Sequence, residues 1–292
     1  SASTTLNNYI FGQYAGDSIT DGGNNIAIGY NALTSVDTGS GNVSIGTNAG
    51  LNNTLGSDNV FIGGGFTGYS NTEGTDNIFI GYAAGGNNTT GSGNVMIGNS
   101  AGNALVSGGE NTVYGRFAAL SLATTSQSTI VGHGAAYGIA GAYEADNLTI
   151  FGREAGYNLQ TGANNNILIG YNAANSMTTG ANNLIIGYDV EAPSNTASNQ
   201  LNIGNLIFAT GIDGTGTTLS TGNIGIGTTS PLAKLTVAGT FRATATSTLS
   251  TTTLTAALLD VGGNSGTNGM VLLSTGTSTR WAATSTLGFS GG

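Results

Sequence analysis

Between residues 8 and 204 one hydrophobic-polar pattern recurs: Asn, three mostly apolar residues, Gly, two variable residues and usually Ala. It stands as Asn8-Tyr-Ile-Phe-Gly12, Asn25-Ile-Ala-Ile-Gly29, Asn42-Val-Ser-Ile-Gly46, Asn59-Val-Phe-Ile-Gly63, Asn77-Ile-Phe-Ile-Gly81 and Asn94-Val-Met-Ile-Gly98. It continues through Asn111-Thr-Val-Tyr-Gly115, Ser128-Thr-Ile-Val-Gly132, Leu148-Thr-Ile-Phe-Gly152, Asn166-Ile-Leu-Ile-Gly170, Asn183-Leu-Ile-Ile-Gly187 and Gln200-Leu-Asn-Ile-Gly204. The twelve marker glycines lie 17 residues apart in eight of eleven intervals, with two intervals of 18 and one of 20, too regular for chance. A short β-branched segment between Asn and Gly, followed by a turn such as Asp37-Thr38-Gly39-Ser40-Gly41, reads as strand plus turn. The predicted fold class is therefore all-β: a parallel β-solenoid of about twelve 17-residue coils. Each coil has a first strand on the motif, a weaker second strand after the small Ala, and tight turns between. Strands about 4.8 Å apart would give a rod of roughly 55–60 Å.

Stacked coils repeat the chemistry of each position along the rod. The motif Asn predicts a ladder of amide side chains, Gly supplies a special backbone angle or a close approach, and Ala three residues on (Ala15, Ala32, Ala49, Ala84, Ala101) fits a cramped corner. Alternation along a strand puts the first and third apolar positions on one face, which is expected to fill the lumen. The middle position then points outward, where Phe61, Phe79, Met96, Val113, Ile130, Ile150, Leu168 and Ile185 form an apolar stripe. Such a stripe exceeds what monomers leave in water. Burial against identical chains around an axis, as a homotrimer with further fibre assembly open to it, is the expected remedy. A covering segment of the same chain is the alternative, but none is long and apolar enough.

The repeated Asn, apolar triplet, Gly and Ala resemble the head repeats of trimeric autotransporter adhesins (YadA-like), whose left-handed parallel β-rolls assemble as threefold bundles. The chain also resembles the longer repeats of bacterial surface and phage tail-fibre-like proteins. The resemblance covers about residues 8–204 and implies a trimeric surface fibre; the period here is longer than that of the adhesin heads. Asn223-Ile-Gly-Ile-Gly-Thr-Thr-Ser-Pro, within a transition or neck module at 206–240, is similar to a segment that precedes a trimer-aligning chaperone domain in tail-fibre families. Residues 1–7 read as an N-terminal extension, 8–205 as the solenoid, 241–268 as a Thr/Ser-rich stalk, and 269–292 as a small β-hairpin module anchored by Trp281.

Composition narrows the function. With 51 Gly but 2 Pro and no three-residue Gly period, the chain is not collagen-like. Fourteen acids against five scattered bases give a net charge of −9, so no basic stripe for nucleic acid is expected. Cysteine is absent and no apolar run is long enough to span a membrane. His133 occupies a variable exposed position, and no nucleophile elbow or selected carboxylate pair supports catalysis. Asp58 and Asp76 read as turn caps rather than calcium ligands, so neither a metal nor a cofactor is expected.

The candidate contact residues are Tyr30, Tyr82, Tyr171 and Tyr188, which follow motif glycines and form an aromatic edge. Tyr137, Tyr143 and Glu144 join them from the insertion that makes the 20-residue interval, since insertions in solenoids emerge on one face. The expected function is a non-enzymatic structural fibre or adhesin segment, extracellular on a cell or virion surface. It would bind its own copies and a host or environmental surface glycan or protein. A phage tail fibre or tail spike with glycan-depolymerase activity is the rival reading. An ice-binding solenoid would need a flat Thr-x-Thr array that the middle positions lack.

Overall fold

The computed structural model describes residues 7–138, 143–240 and the strands 270–274 and 279–283. The chain divides into two units, 1–240 and 241–292. In the first, each motif forms a three-residue strand: β1 (Tyr9–Phe11), β2 (Ile26–Ile28), β3 (Val43–Ile45), β4 (Val60–Ile62), β5 (Ile78–Ile80) and β6 (Val95–Ile97). The series continues with β7 (Thr112–Tyr114), β8 (Thr129–Val131), β9 (Thr149–Phe151), β10 (Ile167–Ile169), β11 (Leu184–Ile186) and β12 (Leu201–Ile203). Each strand pairs in parallel with the next, motif position on motif position, as in Phe61↔Phe79 and Leu168↔Ile185. The predicted parallel β-solenoid is thus the observed fold.

After β12 the chain reverses. Gly204 and Asn205 have φ of +59° and +55°, and Leu206 N–H donates to Ile203 O at 3.1 Å. This is a tight turn with the backbone twist that favours hairpins. Strand β13 (Ile207–Ala209) therefore runs antiparallel to β12 and to β14 (Ile224–Ile226), while β15 (Leu235–Val237) lies parallel to β14. In the second unit β16 (Met270–Ser274) and β17 (Thr279–Ala283) form the expected antiparallel hairpin. The stalk at 241–268 and the packing role of the Trp281 side chain lie outside the described residues.

The faces of the strands are the reverse of the expectation. Phe61, Phe79, Met96, Val113, Ile130, Ile150, Leu168 and Ile185 are all buried within the chain's own coils and do not form an outward stripe. The small middle residues Ala27, Ser44 and Asn202 are equally buried. The reason lies in the opposite wall of the lumen. The turn after the strand brings a small residue across the coil against a large middle one: Gly85 and Gly102 lie six positions beyond Phe79 and Met96, and Gly68 lies seven beyond Phe61. A Cβ at Gly102 would sit 2.8 Å from Met96 Cε, and one at Gly50 would sit 3.0 Å from the buried Leu33. Interiors pack to crystal-like density, so the largest middle residues, Phe61, Phe79 and Met96, face Gly, whereas Ala27 shares its coil with Leu33.

The expected second strand is also absent among the described residues. The chain enters the left-handed region at Leu33, Gly50, Gly68, Gly85, Gly102 and Ala119, with φ between +50° and +60°. That interrupts a pleat even though backbone bonds still join the coils, as from Leu33 N–H to Ala49 O (3.1 Å). The motif glycines meet their expectation: Gly29 has φ +136°, and a Cβ there would lie 2.6 Å from Gly46 O. The corner alanines are buried, and Thr67 and Val190 take their place in two coils.

The Asn ladder is buried and bonded at both ends of each amide. Asn77 Nδ2 donates to Gly91 O (2.8 Å), closing its own coil's turn. Its Oδ1 accepts from the backbone N–H (3.0 Å) and Nδ2 (3.2 Å) of Asn94 on the next coil. Buried amides left unbonded would cost more than they return, so only a side chain with both a donor and an acceptor serves fully here. Ser128 keeps the acceptor by taking the N–H of Leu148 (3.0 Å).

Candidate functional site

Two surfaces on the described solenoid follow from this geometry. The first and third strand positions, with the middle one inside, face outward. Across twelve rungs neither holds a charged residue: the first runs from Tyr9 through Val, Ile and Thr to Leu201, and the third from Phe11 to Ile203 with only Ile, Val, Tyr and Phe. Ile28, Ile45, Ile78, Tyr114, Phe151 and Ile167 are exposed. At its C-terminal end this ledge runs into an apolar cleft of about 590 Å3 lined by Leu201, Ile203, Ile207, Leu219 and Ile224. Lys234 Nζ closes the cleft's loop by donating to Gly222 O (2.9 Å).

The second surface is the edge just beyond the motif glycines. Tyr30, Tyr82 and Tyr188 are exposed there, and Tyr171 is half-buried because Tyr188 stacks on it at 5.2 Å. Tyr30 meets Tyr14 edge-on at 5.8 Å, and Tyr82 meets Phe66 at 6.3 Å. The aromatic edge is therefore present, but in patches, since Thr47 and Asn99 interrupt it.

The insertion behaves differently from the expectation. Tyr137 is half-buried on the surface, stacked on Tyr157 at 4.7 Å. Burial is the first cause holding the Tyr157 phenol above its usual range, followed by Tyr137 and Glu154. Tyr143, by contrast, is buried: it bridges to Leu122 and its hydroxyl donates to Ala136 O (2.8 Å). It replaces lumen packing that the lengthened coil would otherwise lose, so it is no contact residue. Glu144 is exposed, apart from this aromatic pair.

Sequence reasoning passed over Arg116, Phe117, Arg153 and Tyr157 on the same edge. Arg116 and Arg153 occupy the very repeat position of Tyr30 and Tyr82, which was the available signal. The Arg116 guanidinium lies 4.3 Å above the Phe117 ring, and that of Arg153 lies 5.6 Å from Tyr171.

Among the described residues no group of three or more His, Asp or Glu is placed to hold a metal ion. Asp58 and Asp76 occupy left-handed corners at φ +57°, a turn role. Asp213 is held below the usual carboxylate range, first by the Thr221 hydroxyl (2.6 Å) and then by the Thr221 backbone N–H (2.7 Å), a local loop clamp. No protein-family model, no curated protein and no solved structure matches the chain.

Proposed function

We propose that this chain is a structural segment of an extracellular fibre that assembles with its own copies, as a homotrimer, and attaches to surfaces multivalently without catalysis. The carrying observation is the outer ledge of the solenoid: uncharged over twelve parallel rungs in register, and apolar apart from Thr112, Thr129 and Thr149. A ledge of that extent is costly in water. Copies of the same chain offer it a partner of matching length and pitch, because an identical repeat is complementary to itself in register. The threefold number and the extracellular setting rest on the resemblance to YadA-like and tail-fibre-like repeats. The exposed aromatic edge would remain outside such an assembly and be presented once per chain, so that weak contacts gain avidity.

Light scattering on the intact chain is expected to give three times the 28.8 kDa monomer mass. Ile78→Asp, on the outer ledge, should reduce this to the monomer while far-ultraviolet circular dichroism stays unchanged. Phe79→Asp, one residue on but in the lumen, should instead lose the fold. A stable soluble wild-type monomer would remove the basis for the assembly, and a dimer would remove the threefold arrangement.

A further inference from the structure

In a chain with 14 acids and 5 bases, Arg116, His133 and Arg153 stand at one repeat position on three consecutive coils. Backbone bonds fix their register: Gly134 N–H donates to Arg116 O (3.0 Å) and Glu154 N–H to His133 O (2.9 Å). All three side chains are exposed. Beside them runs a row of rings. Phe117 lies under Arg116 and meets both His133 and Tyr137 edge-on at 6.2 Å, and Tyr137 stacks on Tyr157. Glu154 pairs with Arg153 at 2.7 Å, orienting that guanidinium, whereas Arg116 has no ion-pair partner among the described residues.

We propose that this column binds an acidic polysaccharide through the carboxylates of its uronic acid residues. The inference rests on the attachment reading above and names the ligand class. Guanidinium groups match carboxylates with two parallel hydrogen bonds, and aromatic rings offer flat apolar faces to the C–H faces of pyranoses. Rungs about 4.8 Å apart are close to the length of one sugar along an extended chain, so successive rungs address successive residues of a polymer. The acids elsewhere on the solenoid are screened beyond about 8 Å at physiological ionic strength. The same cations and rings resemble a single-strand nucleic-acid groove. Two arginines in a chain of net charge −9 are few for phosphate-backbone binding, whereas one carboxylate per guanidinium suffices for the uronate reading.

The test titrates the full chain with alginate oligosaccharides as the uronate probe, dextran as the neutral probe and oligo(dT) as the nucleic-acid probe. Alginate is expected to bind and dextran not. The double variant Arg116→Gln/Arg153→Gln should weaken alginate binding by at least about tenfold, and Tyr137→Ala should weaken it further, with circular dichroism unchanged in each. Lys234→Gln, which removes the same charge away from the column, should bind as the wild type does. No alginate binding, equal dextran binding, insensitivity to the double substitution, or tighter binding of oligo(dT) would each overturn the proposal. The assembly mass is read separately: a trimer that ignores alginate rejects the column alone. A monomer rejects the assembly and still allows the column's affinity to be measured.

Discussion

The Phe79 ring fills the space that a side chain at Gly85 would need: a Cβ on Gly85 would come within 2.5 Å of Phe79 Cε2 and 2.6 Å of Cδ2. The two residues are six apart in one coil and face each other across the lumen, and the Phe79 ring also packs against Phe61 at 5.5 Å, tilted by 30°. Equivalent coils solve the same problem with other sizes. Val113 and Ile130 face Ala119 and Ala136, which hold the left-handed φ of +53° and +49° despite their Cβ.

Gly85→Ala should therefore destabilise the chain by about 2–4 kcal/mol, combining left-handed strain with overpacking. Most of the overpacking share should disappear in the background Phe79→Val, which reproduces the Val113 and Ala119 pairing. Urea unfolding of the four chains in that cycle is expected to show a coupling of about 0.5–3 kcal/mol. Additive effects would show that the ring and the glycine do not share one space.

Asn77→Leu should cost about 1–3 kcal/mol, because it leaves the Asn94 backbone N–H without a partner in a buried setting and leaves Gly91 O with Asn88 Nδ2 as its one remaining side-chain donor. Asn77→Ser should cost clearly less, as Ser128 already accepts the next coil's N–H in this manner. Hydrogen exchange should report the loss first at the Asn94 amide. Equal protection at that amide in both variants would contradict the ladder's role.

Alkaline pH offers a separate reading of Tyr143. Burial raises its phenol far above the ordinary 10.0, so the folded chain keeps a proton that the unfolded chain releases. By linkage its contribution is fully present below pH about 10 and declines as pH rises beyond it. Thermal unfolding should show this decline in the wild type and a shallower one in Tyr143→Phe, which lacks the titrating group. Tyr143→Phe should also be less stable at neutral pH by about 1 kcal/mol through the lost bond to Ala136 O. Identical alkaline profiles would argue against the buried placement.

Much of this was legible before any coordinates. The 17-residue spacing of Gly12, Gly29 and Gly46 defined the coil and its register, since a parallel ladder of identical units pairs like with like. The same spacing marked Asn25 and Asn42 as ladder amides. The hairpin after β12 was also readable, in the Gly204-Asn205 pair, and was passed over. The aromatic edge was legible as Tyr30, Tyr82, Tyr171 and Tyr188. Arg116 and Arg153 were legible at the same repeat position but were not assigned to the contact edge, because charge and aromaticity were weighed as separate patterns.

The chain by itself determined the period, the strands, their register and the glycine and asparagine columns, because these depend on local backbone preference and on repetition. Which face of each strand is the core was decided only by the tertiary structure. Alternation separates Ile78 and Ile80 from Phe79 but does not say which set lies inside when both are apolar. That choice depends on what stands across the lumen. Gly85 opposite Phe79, Gly102 opposite Met96 and Leu33 beside Ala27 leave room for one set only. The physical reason is close packing: an interior accepts the set whose volumes complement the opposite wall, and that wall becomes adjacent to the strand only when the coil closes.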